Sequence, residues 1–205
     1  MSLEDFRKNR SAEKQSAILT AAIALFRRDG YAGASMEEIA GQAGVSTATL
    51  YRHFRSKAEL FEAVAATSIE TLQTQVSLQP STDPLAHLET LTLAYAHLLD
   101  NPDTIGLVRM IVAETGRNTD LAERFYRAVK ARLGDTFAAA VARLVDDDQL
   151  VDGVWESAPG QLQGMIEHAI LMRGLILGDE AGPAAPPETV AGEALRTWSA
   201  RWLKR

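Results

Sequence analysis

Ser35 to Lys57 reads SMEEIAGQAGVSTATLYRHFRSK, and the fold of the amino-terminal part of the chain follows from it. Ser35 is a good N-cap, and Glu38 three residues on completes a capping box in which side chains satisfy two amides at a helix start. A helix is therefore predicted from Met36, with Met36, Ile39, Ala40 and Ala43 on one face and Gly44 supplying the freedom for a sharp exit. Ser46 caps a second short helix. Its Val45, Ala48 and Leu50–Tyr51 side can pack inward, leaving Thr47, Thr49, Arg52 and His53 outward. Two helices joined by a short glycine turn form a helix-turn-helix, which presents its second helix to the major groove. An ordinary helical hairpin accounts for the caps and the glycine. It does not account for Thr47, Thr49, Tyr51, Arg52, His53, Arg55 and Lys57 in a run from Ser46 to Ala58 that contains no Asp or Glu. That composition points to DNA.

The run from Ser16 to Leu60 resembles the N-terminal DNA-binding domain of the TetR/AcrR family of bacterial transcriptional regulators. Ile18, Ala22 and Phe26, Gly30-Tyr31, Ser35, Ile39-Ala40, Ala43-Gly44-Val45-Ser46, Leu50-Tyr51, His53-Phe54, Ser56-Lys57 and Leu60 occur in the family's order and spacing. A weaker likeness spans Leu88 to Met165, where AYAHLLDNPDTIGLVRMIVAETGRNTDLAERFY is similar to the C-terminal domain of the AefR-like branch. The resemblance implies that the helix headed by Ser46 reads DNA. Thr47, Ala48 and Arg52 are placed for base edges, the methyls suited to thymine and the guanidinium to guanine. Ser35, Thr49, Tyr51, His53 and Lys57 are placed for phosphates, and Leu50 and Phe54 for the core. It further implies a protein that usually represses and pairs through its final two helices as a four-helix bundle.

At 205 residues and 46% hydrophobic content the chain has ample material for a core, and its length suits two domains. With no cysteine, disulfides, thiolate metal sites and a cysteine nucleophile are excluded. The opening MSLEDFRKNR is charged and lacks an apolar segment, so neither a secretory signal nor a membrane anchor is expected. No run approaches the length needed to span a bilayer. These features predict a cytoplasmic protein without a membrane partner. His53, His87, His97 and His168 are scattered, and no His pair stands at metal-ligand spacing beside a carboxylate. There is no phosphate-cradling glycine loop and no nucleophile motif. No catalytic residue, metal or cofactor is expected, and the chain does not read as an enzyme.

The net charge of -6 is unevenly distributed. Residues 1 to 60 hold nine Lys and Arg against seven Asp and Glu, giving +2, which leaves 12 against 20, or -8, for the remainder. Such asymmetry turns the N-terminal face toward phosphate and lets the acidic body orient it. Arg7, Lys8 and Arg10 precede the first capped helix, and could form a flexible arm on the DNA backbone or in the minor groove.

The pattern is helical throughout, predicting an all-α fold of nine helices in two domains: a three-helix DNA-binding domain at 11–60 and a helical effector-binding and dimerisation domain at 61–205. Ser11 caps a helix over about 12–29 that Gly30 stops, and Ser56 with Glu59 form a second capping box. The helix they start carries Leu60, Phe61, Val64, Ala65, Ile69 and Leu72. Asp83-Pro84 opens a helix ended by Asn101-Pro102, and Thr104 to Glu114 forms a short one. Asn118 or Thr119 starts a long one bearing Leu121, Phe125, Val129, Leu133, Phe137, Val141 and Leu144. Leu162 to Leu177 is apolar around much of its circumference, GDEAGPAAPPE is a linker, and Ala191, Leu195, Trp198 and Trp202 form a closing stripe.

A helix apolar all round is buried all round, and near the C-terminus of a small domain this can be met by a second copy. Ile166, Ile170, Arg173, Gly174, Leu177, Leu195, Trp198 and Trp202 are the dimer candidates, with completion of the monomer core as the competing reading. A dimer doubles the DNA site and calls for a palindromic operator. Helices from Pro84 to Gly178 offer an apolar interior with a few polar groups, the usual character of a small-molecule pocket. Leu91, Tyr95, Met110, Glu114, Phe125, Tyr126, Val129, Met165, His168 and Met172 are the candidates for lining it. The partners expected are therefore double-stranded DNA, a second copy of the chain, and an apolar or amphipathic effector. The alternative is control by another protein with no pocket.

Overall fold

Capping and apolar periodicity produce ten α-helices among the described residues: α1 (Leu3–Gly33), α2 (Met36–Gln42), α3 (Thr47–His53), α4 (Lys57–Ser77), α5 (Pro84–Asp100), α6 (Pro102–Glu114), α7 (Thr119–Phe125), α8 (Arg132–Asp146), α9 (Ala158–Leu177) and α10 (Pro187–Trp202). The structure is a computed structural model describing residues 3–151, 153, 155–178, 182 and 185–204, apart from the side chains of residues 3–5, 7, 8, 68 and 69. The side chains of Arg7, Lys8 and Ile69, and much of the GDEAGPAAPPE linker, thus lie outside the described residues. A π-helical turn, Tyr126–Ala131, joins α7 to α8. Counted as one continuous helix, that stretch brings the total to the expected nine among the described residues. These residues contain no strand, only an isolated bridge between Leu150 and Leu203. No described helix is long and apolar enough to cross a membrane.

The chain forms two compact units, one of Met1–Thr67 with Met110–Phe125, the other of Ser68–Arg109 with Tyr126–Arg205. This division departs from 11–60 and 61–205 because the first turns of α4 bury Leu60, Phe61, Val64 and Ala65 in the first unit. The second contributor is α7, whose Phe125 ring lies 6.2 Å from Phe61, while its Arg124 is paired with Glu62 at 2.8 Å.

In the first unit α1 buries Ile18, Ala22, Leu25 and Phe26 and packs against α2, which in turn packs against α3; Ile39 and Leu50 are the fully buried residues of those two helices. Phe26, Tyr31 and Phe61 form an aromatic cluster with centroid separations of 5.7 to 5.9 Å. The amino-terminal residues are helical from Leu3, so the expected flexible arm is an extension of α1. Gly30 leaves the helical region at φ 73°, the stop expected there, and the chain turns through Tyr31 to Gly33 into α2.

In the second unit α5 packs against α8, α9 and α10. Tyr95 is 1% exposed and meets the edge of Phe137 at 5.2 Å. The inner stripe of α9 is Leu162, Ile166, Ile170 and Gly174, and α10 contributes Ala191, Ala194, Trp198 and Trp202. Ile166, Ile170, Trp198 and Trp202 were dimer candidates, yet they are buried within the subunit. Trp198 donates its indole N–H to the Ala158 carbonyl at 2.8 Å, and Trp202 donates to Gln161 Oε1 at 3.1 Å. The apolar residues left on the outside of α9 are Met172, Ile176 and Leu177. At Gly174 the absent Cβ leaves room for Ile105, and Arg109 Nη2 donates to the Gly174 carbonyl at 2.7 Å, so residues 105 and 109 of α6 both meet α9.

Candidate nucleic-acid interface

The two short helices are set by hydrogen bonds between near neighbours. The Glu38 amide donates to Ser35 Oγ at 3.1 Å, and the Ser35 amide donates back to Glu38 Oε2 at 3.2 Å, closing the predicted capping box. Gly44, at φ 66°, makes the turn. The Thr49 amide donates to Ser46 Oγ at 3.2 Å, and the Ser46 and Thr49 hydroxyls lie 2.9 Å apart. Leu50 is fully buried and Phe54 nearly so, which fixes the rotation of α3 about its axis. With that rotation Ala48, Tyr51 and Arg52 are exposed, and Thr47, Thr49 and His53 half-buried. Ala48 and Tyr51, which the helix pattern allowed to turn inward, therefore face solvent together with Arg52.

This surface suits a major groove. It offers a small residue for close approach, a methyl-bearing Thr47 and Ala48 for thymine, and one guanidinium able to bind guanine bidentately. Arg52 and His53 occupy the last turn of α3, and no acid occupies its first turn. Burial holds the His53 imidazole below its usual pKa of 6.5, and the neighbouring Arg52 and Lys14 push it in the same direction. Its Nε2 is buried without a hydrogen-bond partner.

Two candidates have other occupations. The Ser35 hydroxyl is committed to the α2 cap, accepting from the Glu38 amide and donating to Glu38 Oε2 at 2.9 Å. Lys57, expected on a phosphate, is turned back into its own unit. Its Nζ donates to the carbonyls of Tyr31 at 2.6 Å, Ala34 at 2.9 Å and Ala32 at 3.3 Å, and lies 4.6 Å from the Tyr31 ring centroid. The reason is the exit from α1: after Gly30 the carbonyls of that turn have no helical partners, and an ammonium satisfies three at once. Desolvation lowers the Lys57 pKa and Glu114 opposes the shift.

The effector candidates are divided between the two units. Leu91 and Tyr95 are core residues of the second unit and Val129 packs against that core. Met110, Glu114 and Phe125 belong to the first unit. Tyr126 and Met172 are 61% and 41% exposed. Met165 and His168 line an open groove of about 680 Å³ between α9 and α10, together with Gly164, Thr197 and Arg201. Of the dimer candidates, Arg173 and Leu177 are exposed and Leu195 is half-buried. Sequence reasoning missed the polar set joining Tyr95, Glu167 and Lys130, in which the Tyr95 hydroxyl donates to Glu167 Oε1 at 2.5 Å and the Lys130 ammonium donates to the same oxygen. Its only signal was a charged residue within an apolar helix.

Residues 18–64 match the family described as bacterial regulatory proteins, tetR family, and residues 86–203 match the AefR-like transcriptional repressor C-terminal domain. The transcriptional repressor KstR of Rhodococcus jostii is 26% identical over 187 residues, which cover 86% of this chain and 88% of that protein. The transcriptional activator FasR of Mycolicibacterium smegmatis is 36% identical over 91 residues, 43% of this chain and 42% of its own. A TetR-family regulator from Mesorhizobium loti superposes with a TM-score of 0.78 at 28% identity, covering 95% of this chain and 99% of that one. The flavonoid-responsive regulator FrrA superposes with a TM-score of 0.68 at 25% identity over 95% and 99%. The acid-free face of α3, the helix-turn-helix that carries it and the two family matches agree: this chain belongs to the TetR family and is a DNA-binding transcriptional regulator, not an enzyme.

Proposed function

We propose that the protein is a homodimeric, cytoplasmic repressor that binds a palindromic operator through α3 and is released by a small apolar or amphipathic molecule. The observation that carries the DNA assignment is the exposed row of Ala48, Tyr51 and Arg52 on a capped helix with no acid beside it. Thr47, Ala48 and Arg52 read base edges, and Thr49, Tyr51 and His53 meet phosphate, with Ser46 and Ser35 holding the two helices in register. Repression is the mode named for KstR, whereas FasR is named an activator, so the sign of regulation rests on the longer of the two alignments. Residues 11–60 supply the reading head and 61–205 the regulatory and pairing functions. Pairing uses the outer face of α9 and α10, where Met165, His168, Met172 and Leu177 remain available once Ile170 and Trp198 are committed to the core.

Effector control follows the flavonoid-responsive relative, a planar amphipathic ligand class suited to a helical bundle. The commitment of Leu91 and Tyr95 to the core and the exposure of Tyr126 and Met172 favour a second reading, in which another protein governs the regulator. A reciprocal titration separates the two. Flavonoids are titrated with and without a duplex selected from a random pool, and linkage requires the ratio of the two dissociation constants to equal the change in duplex affinity. Equal constants exclude release by that ligand. A wild-type protein that selects no duplex from the pool overturns the regulator itself.

A further inference from the structure

The ring of Tyr95 is packed on Phe137 in the core of the second unit, but its hydroxyl donates to Glu167 Oε1 at 2.5 Å, and the Lys130 ammonium donates to the same oxygen. Burial and the Glu167 charge hold the phenol well above its usual pKa range, so it remains a proton donor at neutral pH. Two donors, from α5 and the π-helical turn, thus converge on one carboxylate oxygen supplied by α9. The Lys130 and Glu167 side chains are 40% and 26% exposed, so the carboxylate is reached from solvent, whereas Tyr95 is 1% exposed. One turn earlier on the same face of α9, Gln163 is buried and its Nε2 has no hydrogen-bond partner. A buried donor left unpaired is destabilising until something accepts from it. Ile166, next to Glu167, belongs to the apolar core, and Val129, next to Lys130, packs against it.

Donors that hold a carboxylate of the chain itself hold one from outside by the same charge-assisted hydrogen bonds. We propose that Tyr95 and Lys130 form a binding site for a carboxylic acid with an apolar body, a site that Glu167 fills in the free protein. The ligand's carboxylate takes the place of the Glu167 side chain, which turns out to solvent. The Gln163 amide then donates to an acceptor oxygen roughly 6 Å along the ligand, the rise of four α-helical residues. The inference rests on effector control and names the chemical class of that effector.

The test is calorimetric titration of the full chain with hexanoate, benzoate and 4-hydroxybenzoate, set against hexanamide and benzamide. The acids should bind and the amides should not. An internal group that fills a site about nine-tenths of the time weakens a ligand about tenfold. Glu167→Ala should therefore tighten the acids by about that factor, and Glu167→Gln, which keeps the side-chain volume and the fold, should shift them in the same direction. Lys130→Met and Tyr95→Phe should each weaken all three acids, and Gln163→Leu should remove any advantage of 4-hydroxybenzoate over benzoate. Acids that bind neither the wild type nor the Glu167 variants, or bind no better than the amides, overturn the site and leave release by an uncharged molecule standing. Affinities that the Glu167 variants do not tighten also overturn it, because a Glu167 that only braces the fold has no ligand to exclude. Acid binding that follows the expected pattern without changing affinity for a selected duplex upholds the site and overturns effector release.

Discussion

Lys57 Nζ donates to the Tyr31 carbonyl at 2.6 Å while standing 4.6 Å from the centre of the same residue's ring, so a single residue satisfies the cation through both backbone and π-face. With Ala32 and Ala34 supplying further acceptors, the start of α4 is tied to the exit from α1. Lys57, at the start of α4, is thus engaged within the fold of the first unit.

Lys57→Met should lower the stability of the protein by on the order of 2 kcal/mol, the scale of losing hydrogen bonds to a charged group. Urea unfolding measures this. Among molecules still folded, the salt slope for a random duplex should stay at the wild-type value. A reduced slope at full stability would return Lys57 to phosphate.

Arg52→Ala and Thr47→Ala should relax preference at particular base pairs, at about 1 to 3 kcal/mol each for a bidentate or well-packed contact. Tyr51→Ala should instead weaken all sequences alike, as a lost phosphate contact does. Competition between a selected duplex and its single-base variants distinguishes the two patterns, and a Tyr51→Ala profile that changes base preference would count against its assignment.

Met165→Glu or Met172→Glu should give monomers by sedimentation and abolish tight binding to a two-half-site duplex, with helix content intact. The equivalent charge at Ile170 or Trp198, each 1% exposed, should unfold the second unit, because an unpaired charge would enter the core. An unchanged dimer in both methionine variants would place pairing on another face.

Gly174→Ala would bring a Cβ to 2.8 Å from Ile105. Overpacking of this kind costs about 1 to 3 kcal/mol. In an Ile105→Ala background the same change should cost much less, and the two effects should therefore be strongly non-additive in a thermal unfolding cycle.

His53 and His87 both have folded-state pKa values below the usual 6.5, each chiefly through burial, with Arg52 and Lys14 adding at His53 and Arg143 at His87. The unfolded chain therefore binds protons more readily than the folded one below that pH. Stability is full above about pH 6.5, falls as the pH drops through the interval to the folded values, and stops falling once both states are protonated. The melting temperature at pH 5.5 should lie below that at pH 7.5, and His87→Gln should shrink the difference.

The reading head was legible in the sequence because its determinants are local. Ser35 with Glu38 and Ser46 with Thr49 bond within three residues, so a cap can be recognised without knowing what surrounds it. The all-α architecture, the glycine turn at Gly44 and the polarity of α3 follow from the same short-range rules. The destination of Lys57 does not, since the carbonyls it meets are exposed by the kink at Gly30 and reach it only once α1 and α4 are packed.

Tertiary structure decided which face of each apolar helix is inside. Around α9 the pattern is apolar on nearly every side, so it has no phase, and only packing against α5, α8 and α10 placed Ile170 inward and Met172 outward. The series Leu121, Phe125, Leu133, Phe137 and Val141 keeps a spacing divisible by four, wider than the 3.6 residues of an α-turn, so one straight helix would carry it off any single face. The chain takes up the excess in the π-helical turn Tyr126–Ala131 and divides the series between two cores, Leu121 and Phe125 in the first unit and Leu133 onward in the second. Periodicity records the need for an inner face. Only the packed chain supplies the neighbour that the face meets.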